Sequence, residues 1–180
     1  MTDDTVRDRL LILRCQARDE SAFEQLVERW EPRLYYYLRR ITRSETDVLD
    51  ILQETWLAVF KSIRNLQDPA KFPAWLYRLA RNQASNWFRK EERLARIENA
   101  EVHEDSAPAS DSCFAAETAD LVHRLLDGLP LPYREVMTLY FLEGFSLKEI
   151  ADVIEIPEGT VKSRLHYAKN KLREALEETN

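Results

Sequence analysis

Glycine is scarce: three residues in 180, Gly128, Gly144 and Gly159, all in the last third of the chain. A Gly-rich loop able to cradle phosphates is thereby excluded from the first 127 residues, and Rossmann and P-loop enzymes with it. Cysteine is scarcer still, Cys15 and Cys113 standing far apart with no CxxC and no nearby histidine pair. Neither a disulfide framework nor a zinc site is indicated; no metal and no cofactor is expected, and a reducing, cytoplasmic setting fits. Long apolar runs are missing too. Runs such as Leu10–Leu13 are only four or five residues long, and the chain opens Met-Thr-Asp-Asp rather than with a basic stretch leading into an apolar one. No signal peptide and no membrane insertion is expected. Positive charge is outnumbered, 26 Lys and Arg against 32 Asp and Glu, so a net charge of −6 favours no polyanion as partner.

What is present is enough to fold. With 44% hydrophobic and 10% aromatic residues, 180 residues suffice for one ordinary domain or two small ones, and wholesale disorder is excluded. The charge is partitioned: residues 1–94 carry +2, 95–119 carry −5 and 120–180 carry −3. The middle stretch, from Ala95 to Ser112, is acidic, rich in Ser, Ala and Pro and nearly free of large apolar residues, which reads as a linker.

Before the linker the periodicity is helical, and alternating strand patterns are absent. Ser21-Ala-Phe-Glu24 reads as a capping box leading into a buried face of Phe23, Leu26, Val27, Trp30, Leu34, Tyr37, Leu38 and Ile41, with Pro32 marking a break or kink. A second box, Ser44 to Asp47, opens a helix with Val48, Ile51, Leu52, Val59 and Ile63 inward, its apolar stripe widened by Trp56 and Phe60. Asp68-Pro69 signals a turn in the loop Asn65–Lys71, and a third helix is predicted from about Pro73 to Arg93. After the linker, helices are predicted at about 115–127 and 133–142, with Gly144 as a C-terminal cap. Ser146-Leu-Lys-Glu149 is a capping box opening a short helix, a tight turn surrounds Glu155–Glu158, and a long helix runs from about Gly159 to Glu177. The fold expected is all-α: two small helical domains, 1–95 and 117–180, the second a helix-turn-helix, joined by a flexible acidic linker at 96–116.

The last helix turns Val161, Leu165, Ala168 and Leu172 inward and leaves Thr160, Lys162, Ser163, Arg164, His166, Tyr167 and Lys169 free. Its N-terminal end offers backbone N–H groups to phosphate and side chains to base edges. A solvated amphipathic helix is the blander reading, and the cap, the small crossing residue Ala151, the turn and the basic face together weigh against it. At this point the residues resemble a known family. Glu158-Gly-Thr-Val-Lys-Ser-Arg-Leu165, after Ser146-Leu-Lys-Glu-Ile-Ala151, is similar to the σ4 domain of extracytoplasmic-function (ECF) sigma factors of bacterial RNA polymerase. Asp47-Val-Leu-Asp-Ile-Leu-Gln-Glu-Thr-Trp56 resembles regions 2.1–2.2 of their σ2 domain, and the stretch from Phe72 to Arg89 resembles regions 2.3–2.4.

The resemblance implies an initiation factor, not an enzyme, that binds core RNA polymerase and promoter DNA, reads −35 and −10 elements and assists melting. Docking on the β′ coiled coil falls to Asp47, Asp50, Gln53 and Glu54, which otherwise read as a solvated polar face. The −10 element falls to Asn65 and Lys71 of the loop and to Arg78, Arg81, Asn82, Asn86, Trp87, Arg89 and Lys90, with an unstacked base held between loop and Asn82. Trp75, Leu79, Trp87 and Phe88 read equally well as core. The −35 element falls to Gly159, Thr160, Lys162, Ser163, Arg164, His166 and Lys169, Lys162 being the foremost base reader and His166 having a rival reading as a plain surface residue. The resemblance further implies contact with the β flap, an anti-sigma factor as regulator, and a linker threading the RNA exit path, as a spacer or as a mimic of the transcript. With the last helix ending near Asn180, regulation is expected from a separate partner or from control of transcription.

Two departures stand out: Asn86 replaces the usual Asp, and Lys90 is followed by Glu91 and Glu92 rather than an arginine run. Fewer cations displace fewer counterions, so weak intrinsic DNA affinity without polymerase is expected. A stand-alone helix-turn-helix regulator is the rival class. An enzyme finds little support, because no carboxylate pair or Cys/His couple stands in a recognisable setting.

Overall fold

The computed structural model describes residues 3–42, 44–97 and 124–179, and the chain divides into two units, Met1–Val102 and His103–Asn180. Every element among the described residues is helical. The first unit holds α1 (Asp3–Gln16), α2 (Glu20–Ile41), α3 (Glu45–Ser62) and α4 (Phe72–Ile97), with short 3₁₀ turns at Ile63–Asn65 and Pro69–Lys71. The second holds α5, described over 124–127, then α6 (Leu131–Met137), a π turn (Thr138–Leu142), α7 (Leu147–Ile154) and α8 (Glu158–Thr179). The all-α, two-domain architecture read from periodicity is the one observed. α4 runs four residues past the predicted end at Arg93, and the expected linker beyond Ile97 and the predicted helix at 115–123 lie outside the described residues.

The first unit is organised around α2, which packs on α1, α3 and α4. Its inner stripe of Leu26, Trp30, Leu34, Tyr37, Leu38 and Ile41 is buried, as the three-and-four spacing demands. Trp30 meets Phe72 edge to face at 5.7 Å and Tyr37 meets Tyr77 at 5.0 Å, which sets the rotation of α4 about its axis. Pro32 does not break α2. It lies exposed, where water can take the carbonyl its missing N–H leaves free, while the buried side stays closed by packing.

Two of the three predicted capping boxes differ. The N-cap of α2 is Asp19, whose Oδ1 accepts from the Ala22 N–H at 3.1 Å; Ser21 lies inside the first turn. The shift follows from an ion pair invisible in local pattern: Arg14 Nε donates to Asp19 Oδ2 at 2.8 Å across the α1–α2 turn. Ser44 caps α3 by backbone conformation, without a side-chain bond. Only Ser146 and Glu149 form the full reciprocal box, with the Glu149 N–H donating to Ser146 Oγ at 3.3 Å and the Ser146 N–H to Glu149 Oε2 at 2.9 Å.

In the second unit the helix predicted at 133–142 begins at Leu131 and changes character. After Met137 it widens into a π turn, and Gly144 ends it at φ 73°. Arg134 stiffens the entry to α6 by donating to the Leu129 carbonyl at 3.2 Å and pairing with Asp127 at 3.7 Å. α7 and α8 then form the helix-turn-helix. Ile150, Val153 and Ile154 are buried with Val161, Leu165 and Ala168, and the turn passes through Glu155 in the left-handed region at φ 55°, ψ 46°.

Glu155 occupies a position that glycine would fill without strain. Glu155→Gly is expected to stabilise the second unit by about 1 kcal/mol, read as a later urea midpoint of the full chain. The Asp19 carboxyl is held below its ordinary value of 3.8, first by the Ala22 N–H and then by Arg14. The unfolded chain therefore binds the proton more readily, so the stabilisation is present above pH 3.8 and is lost as pH falls through the lower folded value. In an acid titration of stability, Asp19→Asn is expected to remove that part of the slope.

Candidate functional site

Three exposed surfaces carry the residues singled out above, two on the first unit and one on the second. The first lies between α2 and α3. A groove of about 540 Å³ is lined by Phe23, Val27, Leu49, Leu52, Trp56, Leu57 and Phe60, with Glu31 and Gln53 as its polar members. Leu49, Leu57 and Phe60 are 56%, 43% and 61% exposed, an apolar patch on a helix whose other face already fills the core. Of the expected polymerase contacts, Gln53 lines the groove. Asp47 and Asp50 are half-buried and Glu54 is exposed, and at about 100° per residue Asp50 and Glu54 run along the side of α3 next to Leu57. Trp56 widens the buried stripe as predicted. Phe60 does not; it stands at the lip of the groove, edge-on to Phe23 at 5.3 Å. Phe60 escaped the sequence reading because an apolar residue beside a helical stripe is assigned to the core by default, whereas Leu49 and Leu57 lie off the stripe of Val48, Ile51, Leu52 and Val59, and that offset was the available signal.

The second surface combines the loop 63–71 with one face of α4. Asn65, Gln67, Asp68 and Lys71 are exposed, and the loop is shaped by Asp68, whose Oδ1 accepts from the Ala70 N–H at 2.9 Å ahead of Pro69. On α4, helical rotation sets Arg78, Asn82, Asn86, Arg89 and Arg93 on one strip, with Lys90 and Arg81 at its two edges. Asn86, Arg89, Lys90 and Arg93 line a hollow of about 480 Å³. Arg89 donates to Asn86 Oδ1 at 2.9 Å and to the Ser85 carbonyl at 3.2 Å, so the amide at 86 still orients the cation although it carries no charge. Trp87 lies on the opposite, core side of α4, half-buried, with Lys90 over its ring at 5.7 Å. Its indole N–H is buried and meets no acceptor among the described residues. Trp75, by contrast, falls on the polar strip, half-buried against Phe72 at 5.9 Å. Trp75 and Arg93 are thus strip members outside the expected set; their rotation about α4 relative to Asn82 was the available signal.

The third surface is the outer face of α8. Gly159, Lys162, Ser163, His166 and Lys169 share one side of the helix, whereas Thr160 and Arg164 are half-buried on the other flank. Ser163 Oγ donates to the Thr160 carbonyl at 3.0 Å, and His166 Nε2 lies 3.1 Å from the Asn170 side-chain nitrogen. Lys169 is parked over Tyr140 at 5.4 Å and Phe141 at 5.3 Å, which orients its ammonium from below. Tyr167 is stacked on Tyr133 at 4.3 Å, tying α8 to α6. Gly159 has open space where a Cβ would point, so nothing within the unit requires glycine there. No helix among the described residues is long and apolar enough to cross a membrane, and no group of three or more His, Cys, Asp or Glu among them is placed to hold a metal ion.

A helical bundle with a polar strip and an apolar groove, followed by a helix-turn-helix with a basic outer face, is the plan of a two-domain transcription initiation factor. Residues 26–94 match Sigma-70 region 2 and residues 119–172 match Sigma-70, region 4. The chain is 30% identical to the ECF RNA polymerase sigma-E factor of Escherichia coli (strain K12) over 94% of each chain. It is 28% identical to the sigma-E factor of Haemophilus influenzae over 97% of each. Among solved structures, CnrH in complex with the cytosolic domain of CnrY superposes with a TM-score of 0.67 at 28% identity, over 97% of this chain and 99% of that one. The sigma factor RpoE of Bartonella quintana, solved with the anti-sigma factor NepR, shares the fold with a TM-score of 0.75 at 23% identity, over 86% and 96%. The chain belongs to the ECF sigma factors, which direct RNA polymerase to specific promoters.

Proposed function

We propose that the three surfaces divide the work of promoter-specific initiation, with no chemistry catalysed by the chain itself. The α2–α3 groove, with Gln53 and the flanking Asp47, Asp50 and Glu54, takes core RNA polymerase; Leu49, Leu57 and Phe60 supply its apolar anchor. The loop 63–71 and the strip of Arg78, Asn82, Asn86, Arg89 and Lys90 take the unwound −10 element, with cations for the backbone and polar groups for an unstacked base. Trp75 offers that strip an aromatic surface, a role better suited to it than to the inward Trp87. The outer face of α8 takes the −35 element: Gly159 and the helix N-terminus approach phosphate, and Lys162, Ser163 and His166 face the bases. Thr160, Arg164 and Lys169 contact the flanking backbone. The site of action is the cytoplasm, where polymerase works. An anti-sigma protein completes the partner set, a reading supported by the solved complexes of CnrH with the cytosolic domain of CnrY and of the Bartonella quintana sigma factor RpoE with the anti-sigma factor NepR.

What carries this reading is that residues scattered along the chain converge on separate exposed faces, each with the chemistry its partner requires. The decisive experiment is reconstituted transcription: purified core polymerase plus this protein is expected to yield promoter-specific transcripts. Sequence-specific DNA binding by the free chain with no polymerase association would overturn the reading. Phe60→Asp, which charges the groove at an exposed position, is expected to weaken binding to core polymerase at least about tenfold while leaving the circular dichroism melt in place. Lys162→Ala is expected to relax discrimination at a single −35 base pair by about 1–3 kcal/mol, measured by transcription from a panel of −35 variants.

A further inference from the structure

The loop 63–71 is braced from outside itself. Gln16, the last residue of α1, donates both N–H bonds of its side-chain amide, to the Ile63 carbonyl at 3.0 Å and to the Leu66 carbonyl at 2.8 Å. The two acceptors bracket the 3₁₀ turn that opens the loop. The Ile63 carbonyl also takes the Leu66 N–H at 3.1 Å, so one amide from elsewhere in the chain closes the turn and fixes its exit. The far end is held locally, where the Lys71 N–H donates to the Asp68 carbonyl at 3.0 Å beneath Pro69. Between these two pins, Gln67 and Asp68 stand exposed, with Asn65 and Lys71 beside them.

The brace itself is rigid. Leu11, Ile12 and Cys15 are buried, which seats α1 on the bundle. Immediately after Gln16 the helix is closed off: the Ala17 N–H donates to Leu13 and Arg14, Arg18 turns through φ 68°, and the Asp19 N–H returns to the Arg14 carbonyl at 3.1 Å. The Arg14–Asp19 ion pair spans that turn. Gln16 thus sits where a helix end normally frays but does not here, and its amide reaches the loop from a fixed base.

We propose that Gln16 is a positioning residue for −10 readout: it holds the loop 63–71 in the shape that captures an unstacked base, and so brings α1, which lies outside the Sigma-70 region 2 match at 26–94, into promoter recognition. This rests on the reading of that loop as a −10 contact. Without the amide, the Leu66 carbonyl loses this donor, the Ile63 carbonyl keeps only the Leu66 N–H, and the loop must be ordered at the moment of capture, which costs affinity. Both bonds of the Gln16 amide go to the loop, so polymerase binding at the α2–α3 groove and −35 readout on α8 are expected to stay as they are.

The test uses reconstituted holoenzyme and the single-stranded non-template −10 segment of a promoter it transcribes, intact and with each base removed in turn. Gln16→Met keeps the length of the side chain and removes both donors; Gln16→Lys keeps a donor. Gln16→Met is expected to bind the intact strand about tenfold more weakly, the size of losing roughly one net hydrogen bond. The deficit should disappear on the strand lacking the captured base, and Gln16→Lys should recover part of it, with core polymerase affinity unchanged throughout. An equal loss on intact and abasic strands would show a merely structural role and overturn the proposal. Asn65→Ala and Lys71→Ala separate the two readings. If they weaken base-dependent binding and Gln16→Met does not, Gln16 is no positioning residue although the loop reads the base. If none of the three does, the loop reading fails and the proposal with it.

Discussion

Burial of one face of α2 is the constraint on which the first unit depends. Trp30 and Tyr37 lock against Phe72 and Tyr77 of α4, and Phe23 meets Trp56 of α3 at 6.1 Å. Each lock sets the rotation of a neighbouring helix. Once α4 is turned so that Phe72, Leu76, Tyr77, Ala80 and Ala84 face the core, Arg78, Asn82, Asn86 and Arg89 must point outward together, because three- and four-residue steps keep them on one side. Seating α3 likewise uses up Val48, Ile51, Leu52 and Val59 and leaves Leu49, Leu57 and Phe60 over. The polar strip and the apolar groove are thus two consequences of one packing arrangement.

The second unit meets its constraint in the backbone. A helix-turn-helix requires the chain to reverse in a few residues, which here demands a left-handed residue at Glu155; another, at Gly144, ends the preceding helix. Ser146 and Glu149 offset part of that cost by closing the N-terminus of α7, and the pocket under α8 is filled by Ile150, Ile154, Val161 and Leu165. Stacking of Tyr133 on Tyr167 and the seat of Lys169 over Tyr140 and Phe141 then settle how α8 presents its outer face. The overall acidity does not oppose this. Local charge on the exposed strips, not the sum of −6, is what an approaching phosphate backbone would meet.

Much of this was legible in advance. The all-α class, the Ser146–Glu149 box, the inward stripe of α8 and the polar residues of α4 follow from periodicity and local capping chemistry, and three motifs in order carried the family. What escaped shares a different origin. Asp19 displaced Ser21 as N-cap because Arg14 reaches it across a turn; Phe60 stood out of the core because Phe23 and Trp56 already filled the space; Trp75 falls on the polar strip and Trp87 on the core side because the rotation of α4 is set by aromatic contacts with α2. The bond from Gln16 to Ile63 joins residues 47 apart, and no local pattern announces it.

The sequence by itself determined which segments are helical, where the one full capping box falls, which acids and cations lie on the same helical face, and which family the chain resembles, because each of these depends on residues within a few positions of one another. Only the tertiary structure decided which apolar side chains remain uncovered, how each helix is turned about its axis and which distant donor braces the loop 63–71. Those outcomes depend on competition for the same buried space and the same carbonyls between residues far apart in the chain.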